Sequence, residues 1–219
     1  MAAPNNLEQI ACTPIPVDEG EFNPYCSIPY GCTVNDIRRG MVDFIDFLGF
    51  INQQLHSRNL TRLESMLMPA NFSSLVGEFM RTSITKYCKT LVKNRYHNGH
   101  PDLIPKGVYP GDSVLHGVEG IEIKGSRNNS GWQGHNAESV WLMVFVFDSN
   151  TQRDKVTGIS PKPFRFAKVL GAQLTYDDWS ESGRSATSRR TPTASVLKSG
   201  HAKMSENWIY RYERENSLR

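Results

Sequence analysis

Gly120–Phe147 reads GIEIKGSRNNSGWQGHNAESVWLMVFVF, and its two ends decide the fold class. The closing run, Val140 to Phe147, is the longest strongly apolar stretch of the chain. A membrane-spanning helix needs about 20 such residues. The run is therefore expected to be a central strand buried on both faces. At the other end, Glu122 and Lys124 alternate with Ile121 and Ile123. A strand has a side-chain period of two, so the two isoleucines face a core and the two charged residues share the opposite face. The connecting Ser126–Gly134 reads as a polar loop.

Working outward, the N-terminal side is helical. Thr33 or Asn35 can cap a helix starting near Asp36. Its apolar stripe runs through Ile37, Met41, Phe44, Ile45, Phe47, Leu48 and Ile51 to about His56. A short helix is expected over Leu60–Met68, and a third from Ser73 through Leu75, Phe79, Ile84, Tyr87, Leu91 and Val92. Asn98-Gly99 reads as a turn. Strands are expected at Val114–Leu115, Val118–Gly125 and Ser139–Asp148, with two more in Phe164–Tyr176 split near Gly171. Thr193–Leu197 reads as a short strand or helix start, and Ala202–Tyr212 as a final helix. Residues 1–32, rich in Pro, Asn and Gly, read as an irregular arm before a single domain over 33–219. Helices first, then strands, then mixed elements predict an α+β or mixed α/β layer: a central mixed sheet flanked by helices, with a helical N-terminal region.

Composition narrows the class. The 219 residues are 38% hydrophobic and 21% charged, which suits a folded domain and excludes a low-complexity chain. The net charge of +3 is too small to name a partner, but it is unevenly spread. Residues 1–58 carry three basic and seven acidic side chains, whereas residues 151–219 carry thirteen basic and seven acidic. The positive field sits C-terminally, where it can face a polyanion. The N-terminus lacks a basic region followed by an apolar one, so a cytoplasmic location and no membrane partner are expected. Cys12, Cys26, Cys32 and Cys88 are too sparse for a disulfide scaffold and read as free thiols; zinc on the first three lacks a nearby fourth ligand.

The residues that carry chemistry are His100-Pro101-Asp102-Leu103-Ile104 and, downstream, Glu122-Ile123-Lys124. A carboxylate and an ammonium group side by side on one strand face, next to a second carboxylate, make a hard-oxygen site for Mg²⁺ with an adjacent cation. Pro101-Asp102 and Glu122-Ile123-Lys124 resemble the two halves of the PD-(D/E)xK motif of a nuclease superfamily that includes most type II restriction endonucleases. The preceding helix and the following apolar strand match that context. The resemblance spans roughly residues 75–150 and implies a restriction-endonuclease-like core. It also implies Mg²⁺-dependent, sequence-specific cleavage of double-stranded DNA to 5′-phosphate and 3′-hydroxyl ends, with Mn²⁺ able to substitute. Asp102, Glu122 and the Ile123 carbonyl would hold metal, and Lys124 would activate or position water. Asp112, in a Tyr-Pro-Gly-Asp turn, is the alternative first ligand, and Glu78 on the preceding helix an additional acid.

Two segments offer groups for DNA. One follows the Glu122–Lys124 strand: Arg127, Asn128, Asn129, Trp132, Gln133 and His135. The other is basic and rich in hydroxyls: Arg184, Arg189 and Arg190, extended by Lys198 and Lys203. Cleaving a palindrome on both strands implies a homodimer, with the helix at 36–56 as a candidate contact, and a restriction system implies a cognate DNA methyltransferase. Two other readings stay open: a repair or Holliday-junction-type nuclease on the same fold, and a non-catalytic DNA-binding or assembly protein. An HNH-type site built on His97, Asn98 and His100 is rejected, because residues 101–135 lack the helix it needs.

Overall fold

The computed structural model describes residues 4–134, 136–181 and 193–213. The helices are α1 (Pro4–Ala11), α2 (Val34–Ser57), α3 (Leu63–Met66), α4 (Pro69–Tyr87) and α5 (Lys198–Glu206). The strands are β1 (Leu91–Lys93), β2 (Leu103–Pro105), β3 (Ile121–Ser126), β4 (Gln133–Gly134), β5 (Val140–Asp148), β6 (Arg165–Leu174), β7 (Trp179–Glu181), β8 (Ala194–Val196) and β9 (Trp208–Arg211). Six strands form the main sheet in the order β1-β2-β3-β5-β6-β9, and β4-β8-β7 form a small second sheet. β3 and β5 run parallel; the other neighbours in the main sheet are antiparallel. The fold is thus mixed α/β with a mixed central sheet, as the order of elements predicts.

β5 is buried on both faces, and its alternation divides the core. Trp141, Met143, Phe145 and Phe147 join the cluster under α2 and α4, with Phe44, Phe72, Phe164 and Phe166 at its centre. Val140, Leu142, Val144 and Val146 join a second cluster under the small sheet and α5, with Trp132, Trp179 and Met204. Each large apolar side chain buried this way contributes about 1.5–3 kcal/mol. α2 begins at Val34, capped by Thr33 in a capping box with Asp36. Its stripe packs into the core, which leaves Val42 and Phe50 outward. α4 starts at Pro69, earlier than the expected Ser73, because proline suits the first helical position.

Five expectations need correction. The third expected helix, α4, stops at Tyr87, and Leu91 and Val92 lie instead in β1, paired with Pro105 and Ile104 of β2. Residues 1–32 are not irregular throughout: α1 precedes a segment tied to the sheet by Ile15 N donating to the Phe164 carbonyl (2.8 Å) and Asn23 N to the Ile209 carbonyl (3.0 Å). β6 is one strand, not two, because Gly171 makes room for the Trp141 ring, and a Cβ there would lie 2.3 Å from it. Val114–Leu115 belongs to no strand. Instead the Leu115 carbonyl accepts from His100 N at 2.9 Å.

The last correction concerns Ala202–Tyr212, which is not one helix. α5 stops at Glu206, where the Asn207 side chain donates to the carbonyls of Gly171 (2.6 Å) and Ser27 (2.8 Å). The next four residues, Trp-Ile-Tyr-Arg, pair with the edge of β6. Aromatic and β-branched residues suit that position, and Ile209 and Tyr210 are buried there.

Candidate active site

β3 builds the site by its alternation. Ile121 and Ile123 sink into the phenylalanine core, so Glu122 and Lys124 emerge together on the other face. Lys124 Nζ donates to Glu122 Oε1 at 3.1 Å. Gly125 allows α4 to press against this strand: a Cβ there would meet the Ser73 carbonyl oxygen at 2.4 Å. That close approach brings Glu78 and Arg81 of α4 to the same place.

Asp102 enters from the start of β2. Strands β2 and β3 share the single pair Leu103–Ile121. Beyond it they diverge, and Asp102 Oδ2 accepts the Ile123 N–H at 2.9 Å. Asp102 Oδ1 accepts from Arg81 at 2.8 Å, and Arg81 also binds Glu78. The Ile123 carbonyl oxygen faces α4 at Gly77, 3.7 Å from the point where a Cβ would stand, an ordinary van der Waals distance.

His100 completes the arrangement. It bridges two acids, with Nδ1 3.1 Å from Glu122 Oε2 and Nε2 2.8 Å from Glu138 Oε2. Burial disfavours the imidazolium, but the hydrogen bonds to Glu122 and Glu138 outweigh it and push the pKa up to about 9. Burial also disfavours the Glu122 carboxylate, yet His100 and Lys124 together hold its pKa well below the usual range. Asp102 moves the other way. Burial and the nearby Glu122 charge raise it, against the Ile123 N–H, Arg81 and Lys124.

Two openings meet at these groups. A cleft of about 620 Å³ contains His100, Asp102, Glu122, Lys124 and Glu138. A second of about 370 Å³ contains Glu78, Asp102, Glu122, Ile123, Lys124 and Gln133. The donors gathered there are carboxylates and a backbone carbonyl. Such a hard-oxygen set fits Mg²⁺ or Mn²⁺. A different donor set, Cys32, Asp36 and Cys88, has ligand atoms within 4.8 Å of one another. Cys88 lies about two helical turns beyond Arg81. Its two sulfurs suit a softer ion such as Zn²⁺ and do not suit Mg²⁺.

The other expected site residues scatter. Asp112 lines neither opening; its Oδ1 accepts from Gly107 N at 2.8 Å in an exposed turn. Arg127 turns inward, donating to the Ser149 carbonyl at 2.8 Å with its guanidinium near the Phe72 and Phe147 rings. Its guanidinium is thus engaged inside the protein. Trp132 is buried in the second core, donating Nε1–H to the Asn128 carbonyl at 2.8 Å. Asn128 and Asn129 are exposed, as is Lys198. Lys203 is paired with Asp178 at 2.6 Å. His135, Arg184, Arg189 and Arg190 lie outside the described residues.

Sequence reasoning missed Arg81 and Glu138 and left His100 as a loop residue beside the site. A signal existed for Glu138. In the β3–β5 pair, Glu122 stands opposite Leu142, so even-numbered residues of both strands share a face. Glu138 continues that parity just before β5. Comparison with protein-family models, curated proteins and solved structures finds no match. No described helix is long and apolar enough to cross a membrane.

Proposed function

We propose that this chain is a metal-dependent endonuclease with a restriction-endonuclease-like core, hydrolysing phosphodiester bonds in double-stranded DNA. One juxtaposition carries the reading. Asp102 and the Glu122–Lys124 pair, with nineteen residues between them in sequence, meet in one cleft, with Asp102 bonded to the strand that bears the other two. A purely structural ion pair would not need a second carboxylate drawn to the same opening.

Asp102, Glu122 and the Ile123 carbonyl are the groups that would hold Mg²⁺. When bound, such an ion supplies Lewis acidity toward a phosphate and its attacking water. The chain's own residues do the rest. Lys124 donates to Glu122, and its remaining N–H groups point a positive charge at the cleft, where they orient water and offset charge on the phosphate. Arg81 locks the Asp102 carboxylate in place. His100, anchored by Glu138, does the same for Glu122. Cleavage of both strands at a palindrome would place two copies around a two-fold axis.

Plasmid DNA incubated with the full chain tests the reading. Discrete fragments in Mg²⁺, with none in Ca²⁺, are the expected result. Cleavage confined to branched substrates would favour a junction nuclease. No cleavage with Mg²⁺ or Mn²⁺ would leave a non-catalytic protein.

A further inference from the structure

The loop that joins β1 to Asp102, residues 94–100, forms a wall of the larger cleft beside the acids. It is firmly built. The Asn94 side chain donates to the carbonyls of Pro101 (3.1 Å) and Val114 (2.7 Å), and its oxygen accepts from the backbone N–H groups of Tyr96 (3.0 Å) and Val114 (3.1 Å). Asn94 N also donates to the Asp102 carbonyl at 2.9 Å, and Arg95 N to the Asp112 carbonyl at 3.0 Å. Asn94 thus ties this loop both to the segment that carries Asp102 and to Val114.

What the loop displays is different in kind. Arg95, Tyr96 and His97 are exposed along the cleft wall. Among the described residues, neither Arg95 nor His97 has an ion-pair partner, although carboxylates crowd the cleft floor a few residues away. Lys93, at the base of the same wall, reaches only a neutral hydroxyl, Thr82 Oγ1, at 3.1 Å. The cleft is therefore divided. Its floor is acidic and already balanced by Arg81, His100 and Lys124, while its wall carries positive charge and an aromatic ring with no internal use. A guanidinium and an imidazole beside an exposed tyrosine are the groups that hold phosphates and pack on sugar or base.

We propose that the 93–97 wall grips the DNA strand being cut: Arg95 and His97 contact phosphates flanking the scissile one, and the Tyr96 ring packs on the adjoining nucleoside. This rests on the nuclease reading and adds to it a DNA contact segment N-terminal to Asp102. Because the loop is bonded directly to the Asp102 segment, a phosphate held by the wall is held in register with the carboxylates.

The test measures binding of a fluorescein-labelled random-sequence duplex to the full chain in Ca²⁺, across a salt series. The double variant Arg95→Ala/His97→Ala should bind about tenfold more weakly, with a salt slope shallower by about 1–2. Tyr96→Phe should bind as the unaltered chain does and Tyr96→Ala more weakly. Lys155→Ala, a cation on an exposed turn that lines neither opening, serves as the control and should change nothing. Thermal melting checks that each variant is folded. If the double variant keeps the original affinity and slope while Lys124→Ala abolishes plasmid cleavage, the wall proposal is overturned and the nuclease reading stands. If the unaltered chain neither binds the duplex nor cuts plasmid, both fall together.

Discussion

The two faces of the β3–β5 pair are covered by different chemistry. On one face Ile121, Ile123, Met143 and Phe145 lie under α2 and α4 in a dry cluster rich in phenylalanine. On the other, β5 offers Leu142 and Val144 to the small sheet, while β3 offers Glu122 and Lys124 to a cleft. The same two strands thus serve as foundation and as working surface. Phe44 alone lies within 6.5 Å, ring centre to ring centre, of five other phenylalanines. The opposite face tolerates charge only because each buried acid has a cationic partner. An unpaired carboxylate there would face a desolvation cost of several kcal/mol.

The contrast can be broken from either side. The largest expected effect is on the foundation: Phe44→Ala should lower stability by about 3–5 kcal/mol in urea unfolding, because neighbouring rings cannot close the cavity. Cleavage per folded molecule should stay close to normal. On the working surface, Lys124→Ala should reduce plasmid cleavage by about 10²–10³-fold while leaving the urea midpoint nearly unchanged. Equal losses of stability and activity in both variants would erase the distinction between the faces.

Smaller effects sharpen the comparison. Glu138→Gln removes the charge that anchors His100 and should slow cleavage about tenfold, the usual size for a group supporting a ligand. A variant that cuts at the normal rate would remove the His100–Glu138 arm from the site. The smallest effect concerns the second core. Asp178 is buried beside Trp179. Burial works against its carboxylate, but the Lys203 ammonium and the Thr175 N–H hold its pKa down at about 2. A depressed carboxyl stabilises the fold above its unfolded value, and that stability is lost as pH falls from about 4 toward 2. Asp178→Asn should cost about 1 kcal/mol near neutrality and flatten the acid limb of a stability–pH curve over that window.

Much of the framework was legible because it is written in local periods. The 3.6-residue stripe of α2 and the two-residue alternation of β3 need no distant partner to be recognised. The uniform apolar run of β5 is equally local. Legibility failed where a distant partner overrode a local preference. Trp208–Arg211 could continue α5, but the open edge of β6 captured it. Gly171 could break a strand, but Trp141 fills the space it leaves. Arg127 looked like a DNA contact because it is basic and follows β3. The Phe72 and Phe147 rings and the Ser149 carbonyl drew it inward.

By itself, then, the sequence determined that Glu122 and Lys124 share one face, that Ile121 and Ile123 anchor the other, and that Val140–Phe147 runs through the middle of a sheet. These follow from strand geometry alone. Only the tertiary structure decided that Asp102 and not Asp112 stands beside Glu122, that Arg81 and Glu138 belong to the same cleft, and that Trp132 is core. Those are meetings of segments far apart in the chain. Their proximity is set by which surfaces α4, β2 and the small sheet bury, and no local period encodes that choice.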